Sequence, residues 1–178
     1  MIDTMHADAA LDPGTDGLAE LADPGLGRVE GIHITSARSL PMESRERVGA
    51  VAGVGLEGDR YFLRTGSYSA DDKDGRHVTL IEAEEIEALA TGTGIELAPG
   101  ETRRNITTRG IRLNALVGRR FRIGAVECEA VRLCEPCQDL VDLLGKPVLK
   151  PLAHRGGLRA MILTSGEIAV GDEVVVLD

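Results

Sequence analysis

The chain has no tryptophan and only two phenylalanines and two tyrosines among its 178 residues. A nucleic-acid surface built on base stacking would be short of platforms. It also lacks a basic surplus. The formal net charge is −9, but six of the 29 acids fall within residues 1–27, which hold no Lys or Arg, leaving 23 acids against 20 bases in the rest. That balance gives no face able to neutralise a phosphate backbone, although it is compatible with a local basic pocket. No apolar run approaches the roughly 20 residues of a membrane-spanning helix. The N-terminus carries acids where a signal peptide has a basic region. These absences lead to the expectation of a cytoplasmic protein that binds neither nucleic acid nor membrane. Cysteine is scarce too: Cys128, Cys134 and Cys137 are an odd, small set. They argue against a secreted disulfide framework and for thiol or metal chemistry in a reducing compartment.

What is present reads as one domain after a tail. Residues 1–27 are rich in Ala, Gly, Asp and Pro without a sustained period, and are expected to form a flexible acidic tail. From Arg28 onward, to residue 178, the pattern is that of a folded domain. Ile32 and Ile34 alternate with His33 and Thr35, the period of a half-buried strand. The Gly-rich, charged stretch from Arg45 to Gly75, with Asp71, Asp72 and Asp74, reads as loops joining short strands and forming one rim of a site. Val78 to Ile81 predicts a buried strand leading into a helix with apolar residues at 83, 86 and 90, acids in its first turn and Gly92 as its stop. Asn105 to Thr108 is rich in β-formers, and Phe121 and Ile123 alternate with Arg120 and Arg122 before Gly124. Val126, Cys128 and Ala130 share one face while Val131 and Leu133 take the opposite parity, which predicts a bulge near Ala130. Gln138 to Leu144, closed by Gly145, predicts a short helix, and three more apolar runs separated by Gly turns end the chain. Many short strands with few helices predict a mainly β, closed-barrel fold.

Gly53, Gly55 and Gly58 match G-x-G-x-x-G, but no helix follows and no strand–helix–strand alternation surrounds them, so a glycine-bearing loop is the better reading. Cys134-Glu135-Pro136-Cys137 is the most chemically pointed segment. Structural zinc would need a second ligand pair, and Cys128, His33, His77 and His154 do not supply one at ligand spacing. A thioredoxin-like pair would need a βαβ setting. Two readings stay open: a reactive thiol at a helix start, or two small buried hydrophobes. Cys128 fits a core position. Arg60, Arg103, Arg104, Arg155 and Arg159 all lie in or beside turn-like segments, and Arg155-Gly156-Gly157 has the composition of an anion cradle. His77 and His154 are as compatible with structural roles as with ligation.

Taken in order, Gly58-Asp59-Arg60, Val78 to Leu89, Pro99-Gly100-Glu101, Asn105-Ile106, Leu116-Val117-Gly118, Pro136-Cys137, His154 to Gly157 and Gly171-Asp172 resemble the segments of a MOSC domain, the C-terminal domain of molybdenum-cofactor sulfurases. The resemblance spans residues 28–178. It implies a closed β-barrel of the pyruvate-kinase barrel-like type with a cleft containing a cysteine, here Cys137. It further implies molybdenum cofactor (molybdopterin) bound with Cys137 as metal ligand, and Arg60, Arg103, Asn105, Arg155, Gly156 and Arg159 as cofactor-binding candidates. Arg103-Arg104-Asn105 is similar to the family's Arg-x-Asn element, while Arg104 departs from the Gly-Glu version. The activity implied is reduction of a small N-hydroxylated substrate, with electrons from a separate reductase because no flavin, haem or iron–sulfur motif is visible. The alternative is a persulfide carrier working with sulfur donor and acceptor proteins, in which Cys134 resolves Cys137. No pyridoxal-phosphate desulfurase domain is expected within these residues, so pyridoxal chemistry is not expected of them.

Overall fold

The computed structural model describes residues 23–66 and 75–177. The acids Asp71, Asp72 and Asp74 and most of the expected tail lie outside these residues.

Alternating apolar positions set the strands. β1 (Gly27–Ile34), β5 (Val78–Glu82), β6 (Ile106–Arg109), β7 (Arg120–Ile123), β8 (Val126–Leu133), β9 (Leu158–Ile162) and β11 (Glu173–Val176) form one closed ring, in the order β1-β6-β5-β9-β8-β7-β11 and back to β1. β1 closes it by pairing on one side with β6 and on the other with β11, through Gly27↔Val174 and Arg28↔Glu173. Among the described strands only β5 and β6 run parallel, because α1 (Ala83–Thr93) is the crossover between them. β2 (Glu43–Arg45) extends the far half of β1, while β3 (Arg47–Val51), β4 (Gly55–Leu56) and β10 (Gly166–Ala169) make a separate three-stranded sheet. Inside the ring Ile32, Leu80, Ile106, Phe121, Ile123 and Leu158 are completely or almost completely buried. The expected mainly β barrel with few helices is therefore the fold observed.

Local details follow the residues. The register of β8 against β9 shifts between Ala130 and Arg132, the bulge that reconciles the two parities. The G-x-G-x-x-G glycines all take positive φ, in the β3–β4 hairpin and the turn after it, and no helix follows them. α1 differs from expectation at its end: it runs through Gly92 and stops at Gly94, whose φ is +73°. Gly92 costs only about 1 kcal/mol inside a helix. The left-handed residue that ends this one is Gly94, whose N–H bonds the Ala90 carbonyl.

α2 (Gln138–Leu144) has the expected limits, with Cys137 preceding it and Gly145 closing it at φ +63°. A second small core joins α2 to α1: Leu89 and Leu140 pack with Val148 and Leu152, supported by Ile95, Leu97, Val141 and Leu144. This cluster fixes α2 against the side of the barrel and so places Cys137.

Candidate functional site: an arginine-lined cleft beside Cys137

Two residues separate Cys134 from Cys137, but their surroundings differ. Cys134 is 1% exposed, whereas Cys137 is exposed. Both line one cleft, whose other walls come from the turn after β1, the turn after β4, β5, the segment before β6, α2 and β9. Cys128 lies elsewhere, fully buried in the barrel, and desolvation pushes its thiol up to about 12. All three cysteines are free.

The loop carrying Cys137 is held mainly through its backbone. The Cys134 N–H donates to the Gly157 carbonyl at 2.7 Å. Arg104, only 8% exposed, donates from Nη2 to the Cys134 carbonyl at 2.8 Å and from Nε to the Gly156 carbonyl at 2.7 Å. Its Nη1 reaches the Thr102 carbonyl at 3.1 Å. The Glu135 carboxylate receives the His154 backbone N–H at 2.8 Å and lies 2.9 Å from His154 Nδ1. Gly156 packs against this loop so closely that a Cβ would come within 2.5 Å of the Cys134 carbonyl oxygen. The Cys137 carbonyl then starts α2 by accepting from Leu140 and Val141.

Among the described residues, five arginines line the cleft, Arg38, Arg60, Arg103, Arg104 and Arg159, against one carboxylate, Asp139. Arg60 stacks over the Tyr61 ring at 5.0 Å, lies 3.6 Å from buried Asp59 and donates to the Arg103 carbonyl. Arg103 takes a left-handed φ of +62° and donates to the Leu40 carbonyl at 2.6 Å and the Arg38 carbonyl at 2.5 Å. Burial, with the Arg60 guanidinium as a second cause, lowers Arg103 to about 10, so it remains charged at neutral pH. Arg159 has a buried Nε with no hydrogen-bond partner among the described residues. Arg38 pairs with Asp139 at 2.9 Å across the cleft.

Cys137, Arg60, Arg103 and Arg159 are thus brought together as the sequence suggested. Asn105 is nearby but committed: its Oδ1 accepts from the Thr79 N–H and hydroxyl, and its Nδ2 donates to the His33 carbonyl and to Asp59. Both donors and both acceptor positions are used. Asn105 therefore ties β1, β5 and β6 to the Arg60 turn and is not free to contact a ligand. Gly156 sits behind the cysteine loop. Arg155 does not line the cleft; its half-exposed guanidinium is drawn to the buried Glu85 of α1, to which its Nε donates at 2.5 Å. Composition alone made residues 155–157 resemble an anion cradle. His77 accepts the Ile162 N–H on Nδ1, a structural role, and His154 serves Glu135. Arg38 and Asp139 were not among the sequence candidates, and Arg104 was counted with the arginines but not with the cofactor-binding residues.

No group of three or more His, Cys, Asp or Glu residues able to hold a metal ion occurs among the described residues. Any metal at Cys137 would have to bring most of its coordination with it.

The MOSC domain family model matches residues 67–175. The chain belongs to the MOSC domain family. Solved structures support the same fold: the YuaD protein from Bacillus subtilis superposes with a TM-score of 0.71 at 18% identity, covering 85% of this chain and 95% of that one. YiiM from Geobacillus stearothermophilus gives 0.66 at 14% identity, with 85% and 75% covered. YiiM from Escherichia coli gives 0.62 at 16% identity, with 85% and 70% covered. A search of curated proteins gave no significant match. No helix among the described residues of this MOSC domain is long and apolar enough to cross a membrane.

Proposed function

We propose that this MOSC domain binds molybdenum cofactor in the arginine-lined cleft, with Cys137 as the protein's metal ligand, and supports reduction of small N-hydroxylated compounds in the cytoplasm. The observation that carries this reading is an exposed thiol opening onto a cleft with a surplus of fixed positive charge. Among the described residues, only Arg38 and Arg60 of the five lining arginines have a carboxylate within ion-pair distance. Buried guanidinium groups without counter-charge are costly, and an anionic ligand offsets that cost. Arg60, Arg103, Arg104 and Arg159 suit the phosphate of a pterin cofactor, and a single soft thiolate suits a metal whose remaining ligands arrive with the cofactor.

When bound, the group would supply the two-electron step in which an N-hydroxyl is reduced to N–H and water, drawing two protons from solution and two electrons from a separate reductase. The chain's own residues bind and orient. Arg104 and the Gly157 carbonyl fix the cysteine loop, and the packing of Leu140 in the α1–α2 core fixes the far side of the Cys137 peptide.

A second reading, a persulfide carrier with Cys134 resolving Cys137, is favoured by the presence of both cysteines on one cleft wall. Protein made in a host that synthesises the cofactor separates the two. Stoichiometric molybdenum and pterin in the parent, with metal lost in Cys137→Ala, supports the first; sulfane sulfur on Cys137 without metal supports the second. Parent protein carrying neither metal nor pterin overturns the cofactor reading.

A further inference from the structure

The cleft is narrow. Its volume is about 100 Å³, whereas sites for cofactor-sized molecules are on the order of 300–1,000 Å³. A ligand of that size is admitted most readily where the mouth can widen, and most of the walls are fixed. Arg103 and Arg104 are tied to backbone carbonyls of Arg38, Leu40, Cys134 and Gly156, and Arg60 is held by Asp59 and the Arg103 carbonyl. Breaking the Arg104 bonds would strand buried carbonyl groups, and freeing Arg103 would break two short bonds at once.

Arg38 is different. Its backbone is anchored, because Arg103 holds its carbonyl and Thr65 holds that of Ser36. Its side chain, however, is 60% exposed, and among the described residues its guanidinium meets only the Asp139 carboxylate, itself 47% exposed. The two partners stand on opposite walls: Arg38 on the turn after β1, Asp139 on α2 two residues beyond Cys137. An exposed ion pair of this kind is screened by salt and contributes little stability. It is therefore the part of the cleft that an incoming charge can open without disturbing the fold.

We propose that Arg38 exchanges partners: it closes the empty cleft through Asp139, and it turns to an anionic group of the ligand, of phosphate type, when the cleft is filled. This rests on the reading of the cleft as an anion site. Arg38 is then a ligand-contact residue, and Asp139 is the carboxylate that holds it in reserve beside the reactive thiol.

The cofactor-free full chain provides the test, because Cys137 is its one exposed cysteine. Its alkylation by iodoacetate, an anion, is compared with that by neutral iodoacetamide, with and without inorganic pyrophosphate. In the parent, pyrophosphate slows labelling by both reagents. Asp139→Asn releases Arg38 and should raise the iodoacetate-to-iodoacetamide rate ratio about threefold or more, an effect that shrinks with added salt. In an Arg38→Gln background the same Asp139→Asn change should raise the ratio by less than half as much on a logarithmic scale, because there is no guanidinium to release. Equal increases in both backgrounds would mean that Asp139 acts only as a nearby charge, and would overturn the exchange. Failure of pyrophosphate to protect Cys137 in the parent would instead remove the anion site itself.

Discussion

Replacing Arg104 by Met should loosen the cysteine loop and lower the stability of the whole domain. The guanidinium makes three bonds of 2.7 to 3.1 Å to the carbonyls of Gly156, Cys134 and Thr102, and it is 8% exposed. Met fills much of the same volume but leaves those carbonyls without a donor. Each stranded buried acceptor costs about 1–3 kcal/mol, partly offset because a buried charge is removed at the same time. A net loss of about 3 kcal/mol is expected, which for a domain of this size is a fall of roughly 6–12 °C in Tm. Two measurements check it. Thermal unfolding gives the global loss, and hydrogen exchange should show the Cys134 amide, which bonds the Gly157 carbonyl, losing protection beyond the global change. Arg104→Lys keeps the charge but not the planar fork, and should fall between the two. A loss below about 1 kcal/mol with unchanged exchange at Cys134 would refute the view that this side chain holds the loop.

Two further outcomes follow from other parts of the barrel. His33 is 5% exposed and desolvation lowers it from 6.5, so below that pH the unfolded chain takes up a proton that the folded chain refuses. Stability should therefore be full above about pH 6.5 and decline as pH falls, and the difference in Tm between parent and His33→Gln should shrink between pH 8 and 5.5; parallel curves would refute it. Gly157 has φ +105° and a Cβ there would lie 1.9 Å from the Leu80 carbonyl oxygen, while Gly118, at φ +78°, has open space around it. Gly157→Ala should cost several kcal/mol or prevent folding and Gly118→Ala about 1–2 kcal/mol, as measured by urea unfolding, and equal losses would refute the steric account.

Elements specified by neighbouring residues were legible in the sequence. The parity change after Ala130 located a bulge, and Gly145 located the end of α2, because each depends on local backbone requirements. Contacts between distant segments left no such trace. Alternation would point His33 away from the core, yet it is buried, since the ring is covered by Gly100 and its neighbours some 67 positions later. Arg104 reaches Cys134 and Gly156 over 30 and 52 positions, with no period to reveal it. The arginines were recognised as a resource, but which of them share a cleft depended on the barrel's closure. Arg60, Arg103 and Arg159 arrive there on three different turns or strands, whereas Arg155 is captured by Glu85.

The pairing of β1 with β11 also bears on how the chain acquires its shape during synthesis. Until residues 173–176 have left the ribosome, β1 and β7 each present an unpaired edge, although every other strand of the ring already has its neighbours available. Such edges are templates for pairing with other chains. The contacts that seal the ring join residues almost 150 positions apart, the kind of distant pairing that slows folding. A nascent chain stalled before β11 is thus the form of this protein most exposed to aggregation, and that interval falls at the end of translation of the barrel.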